Sequence, residues 1–302
     1  MSLRILVTGS KGQLGNELRR CLESGDAEIG AIPAEYRDAH VDYIDYDVLD
    51  ISDASAVDAW FAENAYDIVI NCAAITNVDG CETDEVGAYK VNAQGPANLS
   101  RASAAQGAKI VHVSTDYVFP GNEEGQRTED DPTCPISAYG RTKLAGEKAA
   151  SRENSKCFVC RTSWLYGYVG KNFVKTMRRL GESHDRITVV SDQLGNPTSA
   201  NDVAYHILKV ALTGNYGIYH MTNNGTCSWA DFASRIMEKS GLSCEVVPVT
   251  SAEYKVANPN SADRPHFSSL QNKHLQDTVG DEFRSWQDAI DMFIERLSDL
   301  EG

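Results

Sequence analysis

The first fifteen residues restrict this chain most. An apolar run, "LRILVTG" (3–9), ends in glycine and passes through "SKGQLG" into a segment with leucines at helical spacing, Leu14, Leu18 and Leu22. A strand apolar along its whole length is expected in a parallel sheet covered on both faces. Gly9, Gly12 and Gly15 fall between that strand and the first helix. Gly9 is free to take a dihedral closed to other residues and turn the chain tightly. Gly12 offers no side chain to hold a ligand off the backbone, and Gly15 lets the helix lie close on the strand. The unpaired amides at the helix start suit an anion. The spacing GxxGxxG is wider than the GxGxxG fingerprint. Its place at the opening of an α/β array gives it weight.

The alternation continues. Strands are expected at "AEIGAI" (27–32), within 42–50, and at 66–74, 108–115 and 156–163. Helices are expected after Ser52 or Asp53 as cap, over 84–107, and from near Ser137. This pattern predicts an α/β fold: a doubly wound, mostly parallel Rossmann-like sheet over residues 1–165. The pattern loosens over 166–302, where a smaller C-terminal α/β region is expected, some of its segments returning to the core. Ser228 is a natural start for one helix, and "SWQDAIDMFIERL" is an amphipathic closing helix.

Composition excludes several classes. The formal charge of -15 opposes nucleic-acid binding. No apolar stretch approaches the ~20 residues of a membrane helix, and no signal peptide is read at the start. The only CxxC among eight cysteines, Cys157 to Cys160, lies in a strand-like run, so two buried thiols are expected. Unpaired thiols suit the cytoplasm.

Candidate ligand-binding residues follow from position. Gly9, Gly12, Gln13, Leu14 and Gly15 form the turn. "NCAA" (71–74) puts small residues Cys72, Ala73 and Ala74 at a strand end, where a crevice needs room. The acid expected to end the second strand and grip an adenosine ribose is missing, because Pro33 and Ala34 stand there. Arg37 follows and suits a 2′-phosphate, which tilts the choice of cofactor slightly to NADPH over NADH. Asp47 and Asp50 are alternatives for the adenine end; solvated loop charges are equally expected.

The chemical candidates come later. "VHVSTDYVFPG" runs from a strand into hydroxyls, with Ser114, Thr115 and Asp116 at its end. In "YGRTKLAGE", Tyr139 and Lys143 are four apart and share a helix face. A free tyrosine titrates near ~10, and an adjacent ammonium favours its ionisation. The pair therefore suits protonation of a carbonyl oxygen, with Thr115 binding that same oxygen. Lys143 also suits a ribose diol, and Asn92 suits a water on the route by which protons return. A Tyr–Lys pair alone is a common accident of helix surfaces; its register with the glycine turn and the hydroxyl-bearing strand end is what selects it.

These stretches, with "VINCAAITNVDGCE", "RTSWLYG", "GKNFVKTM", "DQLGNPT" and "RPHFSSL", resemble the extended short-chain dehydrogenase/reductases nearly end to end. Within that family the resemblance is closest to the dTDP-4-dehydrorhamnose reductases. It implies reduction by NADPH or NADH of the C4 ketone of dTDP-4-dehydro-6-deoxy-L-mannose. Thr115, Tyr139, Lys143 and Asn92 match the family's catalytic positions, and Trp164 matches a tryptophan of the sugar pocket. Asn172 and Arg264 are expected near the diphosphate. Some members bind magnesium at a dimer contact; Glu17 matches one acid, but Asn201 replaces another, so no metal is expected. A monomer or a homodimer is left open. The alternatives are another nucleotide-sugar reductase, epimerase or dehydratase, and a non-catalytic NADP-binding regulatory subunit like that of methionine adenosyltransferase.

Overall fold

The computed structural model describes residues 2–301. In chain order, β1 (Arg4–Thr8) and α1 (Gln13–Ser24) precede a short hairpin, β2 (Asp26–Ala27) and β3 (Gly30–Ala31). Next come β4 (His40–Ile44), α2 (Ala54–Glu63) and β5 (Ile68–Asn71). Then α3 (Val78–Thr83), α4 (Glu85–Tyr89) and α5 (Gly95–Ala105) lead to β6 (Lys109–Thr115), and α6 (Ala138–Glu153) to β7 (Cys157–Thr162). The remainder holds β8 (Leu165–Tyr166), α7 (Phe173–Ser183), β9 (Arg186–Val190), β10 (Leu194–Gly195), β11 (Thr198–Ser199) and α8 (Ala200–Leu212). It continues through β12 (Gly217–His220), β13 (Cys227–Ser228), α9 (Trp229–Lys239) and β14 (Glu245–Val249). It closes with α10 (Ser251–Ala257), α11 (Lys273–Thr278) and α12 (Trp286–Glu301).

Six strands form one sheet in the order β12-β7-β6-β5-β1-β4, every neighbouring pair parallel. This is the Rossmann-like, doubly wound sheet the alternation predicts. Side chains divide between its faces with the period of two that strands impose. Ile5, Val7, Ile68, Ile70 and Phe158 join a core with α1 and α8, while Leu6, Val69, Ile110 and Val159 join another with α2, α5 and α6. The chain order reverses between β1 and β5, so the crevice above their carboxyl ends is the place for a ligand. A third core, built on Phe232, Ile236, Ile290 and Phe293, holds the C-terminal elements together. From that half of the chain, α8 and β12 return to the sheet.

Two expectations need correction. "AEIGAI" is no strand of the sheet: it contributes the antiparallel hairpin β2–β3, and Gly30, with φ of 148°, turns the chain inside it. Its isoleucines pack on the α1–α8 core, so their apolar character reports burial without pairing. The second strand of the sheet is β4. The helix expected over 84–107 is broken: α4 runs into a wider π turn at Lys90–Gln94 before α5. Pro96 lacks the amide an unbroken ladder needs, and a local π turn is one way a helix absorbs that loss. The expected caps hold. Asp53 accepts from the Ser55 and Ala56 amides, Ser137 from Gly140, and Ser228 forms a reciprocal capping box with Asp231. Cys157 and Cys160 are buried free thiols in β7.

Candidate active site

The glycine turn is built as its sequence requires. Gly9 has φ of 64°, and a Cβ there would come within 2.6 Å of the Ala73 nitrogen. A Cβ on Gly15 would meet the Gly9 carbonyl at 2.4 Å. At Gly12 a Cβ would touch only the Gly9 oxygen, at 3.2 Å, leaving the side facing the crevice open. This cradle fits a diphosphate approaching the backbone amides at the start of α1.

Two adjoining cavities share Gly9, Gly12, Cys72 and Ala74 and make one crevice. The first, about 600 Å³, is bordered by Lys11, Asp45, Asp50, Ile51 and Ala73. The second, about 480 Å³, is bordered by Gln13, Thr115, Asp116, Tyr139, Lys143 and Trp164, with Leu14 and Gly15 at its floor. Arg37 borders neither; it ends a short 3-10 turn ahead of β4. The acid missing from the expected second strand stands directly after the true one. Asp45 follows β4 and accepts from the Lys11 amide at 2.9 Å. Lys11 Nζ in turn reaches both carboxylate oxygens of Asp47 at 2.8 Å. Asp45 and Lys11 carry no signal in the sequence, because 27–32 reads as the second strand and the true one, β4, starts only at His40. Cys72, at the shared wall, is a packing group, since burial pushes its thiol up to about 12.

At the other end, β6 delivers Thr115 and Asp116 and α6 delivers Tyr139 and Lys143. Thr115 Oγ donates to Asp116 Oδ1 at 2.9 Å and accepts from the Tyr117 amide at 3.2 Å. Tyr139 borders the same cavity as Thr115. Tyr117 meets the Tyr139 ring edge-on, with centroids 5.7 Å apart. Lys143 Nζ donates to the Val113 carbonyl at 2.6 Å, and burial lowers its ammonium to about 8 against the pull of Glu147. One expectation reverses. Burial raises the Tyr139 phenol, and Lys143 is not among the groups acting on it.

A buried pair holds α6 in place. Arg161 of β7 makes two bonds to Glu147, at 2.9 and 2.8 Å, and Ser114 donates to the same carboxylate at 2.6 Å. Asn92, fully buried in the π turn, pins the crevice wall: its amide accepts from the Ile75 nitrogen and donates to the Ile75 carbonyl and Thr142 Oγ. Those bonds use both hydrogens of the side-chain amide and leave Oδ1 a second acceptor position.

The substrate-side candidates divide. Asn172 caps α7 and donates to Gln13 Oε1 at 3.0 Å, tying the glycine turn to the C-terminal half. Arg264 pairs with Asp79 at 3.2 Å, beside Tyr117. Trp164 borders the cavity with φ of 44°, its ring stacked on Trp229 with centroids 3.5 Å apart. A Cβ on Gly195 would meet the Trp164 ring at 2.6 Å, so the indole is held between Trp229 and the Gly195 backbone. Trp229 also borders the cavity, and nothing in the sequence distinguished it from a core residue starting a helix. Glu17 is buried, accepting from the Asn201 amide at 3.0 Å and from Arg20 at 2.9 Å. A cation there would face an amide N–H and a guanidinium, so these residues do not fit a metal.

Fold and crevice define an NAD(P)H-dependent oxidoreductase of the extended short-chain type, acting on a nucleotide-sugar ketone. The comparisons refine this. The family model described as RmlD substrate binding domain matches residues 3–299. A solved dTDP-4-dehydrorhamnose reductase from Clostridium acetobutylicum is 44% identical, with TM-score 0.91, covering 98% of this chain and 100% of that one. The Bacillus anthracis reductase in complex with NADP is 37% identical, with TM-score 0.89 and full coverage of both chains. A probable dTDP-4,6-dihydroxy-2-methyloxan-3-one 4-ketoreductase from Streptomyces antibioticus is 39% identical, over 95% of this chain and 93% of its own. The chain belongs to the dTDP-4-dehydrorhamnose reductase family.

Proposed function

We propose that the chain reduces the C4 ketone of dTDP-4-dehydro-6-deoxy-L-mannose, giving dTDP-L-rhamnose. The observation that carries this is the convergence of Thr115, Tyr139 and Lys143 on one cavity that opens onto the glycine cradle. When bound, the reduced nicotinamide supplies the hydride. The chain's own residues do the rest. Gly9, Gly12 and the amides at the start of α1 hold the diphosphate. The buried Lys143 ammonium holds the nicotinamide ribose. Thr115 orients the ketone oxygen, and the Tyr139 phenol gives it a proton. The cofactor is read as NADPH or NADH: Lys11 borders the adenine end and suits a 2′-phosphate, whereas Asp45, directly after β4, suits an unmodified ribose diol. A second reading, another dTDP-linked 4-keto sugar, is favoured by the likeness to the Streptomyces ketoreductase.

The test is loss of reduced-nicotinamide absorbance on mixing the protein with this substrate and NADPH. Tyr139→Phe should fold and bind NADPH yet lose activity by about 10²–10⁴-fold. Normal turnover by that variant would remove Tyr139 as the donor. Faster turnover of a different 4-keto sugar by the unaltered protein would transfer the substrate assignment to that sugar.

A further inference from the structure

We infer that Gly195 and Trp229 are positioning residues for the sugar side of the cavity: together they hold Trp164 in a backbone conformation it would otherwise leave, and so fix where its indole meets the substrate. The inference rests on the reductase reading above. It adds to that reading a determinant, Gly195, that borders neither cavity.

Trp164 is the one non-glycine residue with positive φ among the described residues, at 44°. In that region an L-residue crowds its Cβ against the following carbonyl oxygen, at a cost comparable with what a single aromatic stack returns. The conformation therefore depends on its neighbours. Two ties hold the backbone. Ser163 Oγ donates to the Asn196 carbonyl at 2.7 Å, and the Thr198 amide donates to the Trp164 carbonyl at 3.3 Å. Asn196 is itself buried, its side chain donating to the Asn223 and Gly225 carbonyls and accepting from the Leu270 amide. Residues 196–198 are thus a fixed base under the turn.

The ring is held separately. The antiparallel pair β10–β13 sets Gly195 opposite Cys227 and Leu194 opposite Ser228, and Trp229 follows at once. One short strand pair so delivers both neighbours of the indole. Trp229 lies parallel to the Trp164 ring, with 8° between the planes, and is backed by Phe173 at 4.5 Å between centroids. A Cβ at position 195 would come within 2.8 Å of Trp164 Cε2, Cζ2 and Nε1. These are atoms of a rigid ring, so a side chain at 195 displaces the whole indole. Trp164 and Trp229 both border the cavity, and displacement there changes the space left for the sugar. Lys143 is tied to the Val113 carbonyl and Gly12 to the Gly9 carbonyl, so cofactor binding does not depend on this slot.

The test compares unaltered protein with Gly195→Ala, Trp229→Leu and Trp229→Phe. For the 4-keto nucleotide sugar, KM should rise about tenfold in Gly195→Ala and about three- to tenfold in Trp229→Leu. In both, kcat should change less and NADPH affinity should stay the same. Trp229→Phe keeps a stacking face and should recover most of the loss. Should Gly195→Ala not fold, the Trp229 variants carry the test by the same split. A second measurement needs no turnover. Two stacked indoles couple as an exciton pair in far-ultraviolet circular dichroism. That couplet should be present in unaltered protein, absent from both Trp229 variants and altered in Gly195→Ala. An unchanged KM in Gly195→Ala or Trp229→Leu, a couplet absent from unaltered protein, or NADPH affinity that falls in step with KM overturns the inference and leaves the reductase reading intact. No turnover of any 4-keto nucleotide sugar by unaltered protein overturns the reductase reading, and this inference with it.

Discussion

At the scale of single residues, the sequence identified the chemical groups but not their surroundings. Tyr139 and Lys143 were legible because helical spacing puts them on one face, and Thr115 because it ends a strand. What Asn92 does was not legible, since its partners Ile75 and Thr142 are distant in the chain and meet it only through the π turn. Nor was the direction of the Tyr139 shift: spacing places a lysine near a tyrosine, but burial decides which effect wins. Lys143 carries a prediction of its own. Its ammonium, held at about 8, is lost as pH rises past that value. Affinity for NADPH should therefore fall between about pH 7 and about pH 9, followed by cofactor fluorescence. Lys143→Met should bind NADPH weakly throughout and show no such fall. An unchanged affinity across that range in the unaltered protein would mean that the ammonium does not hold the cofactor.

At the scale of elements, α6 is the part on which the chemistry depends. It packs so closely on the π turn that a Cβ on Gly146 would lie 2.1 Å from the Asn92 carbonyl. Glu147, one residue on, is salt-bridged to Arg161 with both side chains almost wholly buried. Breaking such a pair strands a charge, at a cost of about 3–5 kcal/mol. Glu147→Ala should therefore lower the unfolding free energy from urea titration by that amount, while Glu147→Met combined with Arg161→Leu should recover most of it. A single variant as stable as the unaltered protein would show that the pair does not secure the helix. Strand misplacement also belongs to this scale. Six apolar-rich residues at 27–32 read as a strand, yet they lie in a hairpin against α1 and α8, a distinction that depends on tertiary partners and not on local periodicity.

At the scale of the whole molecule, the alternating pattern was enough to predict the sheet, because each β–α unit writes its own period into the chain. The C-terminal half was less legible. Its two-residue strands β8, β10, β11 and β13 are too short to carry a period, and they exist only by pairing across the fold. The buried histidines set how the assembled molecule meets acid. Burial depresses His206 to about 4 and His220 to about 3, and lowers His112 as well. Below ~6.5 an unfolded chain binds protons that these imidazoles refuse. Their stabilisation is present above that pH and is lost as pH falls towards their folded values, at about 1.4 kcal/mol per pH unit for each. Asp116 works in the opposite direction between its ordinary range and about 6, and burial raises Glu17 and Asp202 in the same sense, which offsets part of the histidines' effect. The urea midpoint should thus drop steadily from about pH 6.5 to about pH 4.5. A level profile would mean that the histidines are not held neutral inside the fold.

With one indole face stacked on Trp229 and ring atoms close to Gly195, the Trp164 ring that the "RTSWLYG" motif advertises offers the cavity only part of its surface. The aromatic beside it comes from a helix start that carries no signature at all. A substitution at position 229 would therefore reshape the wall of the crevice while leaving every quoted motif intact.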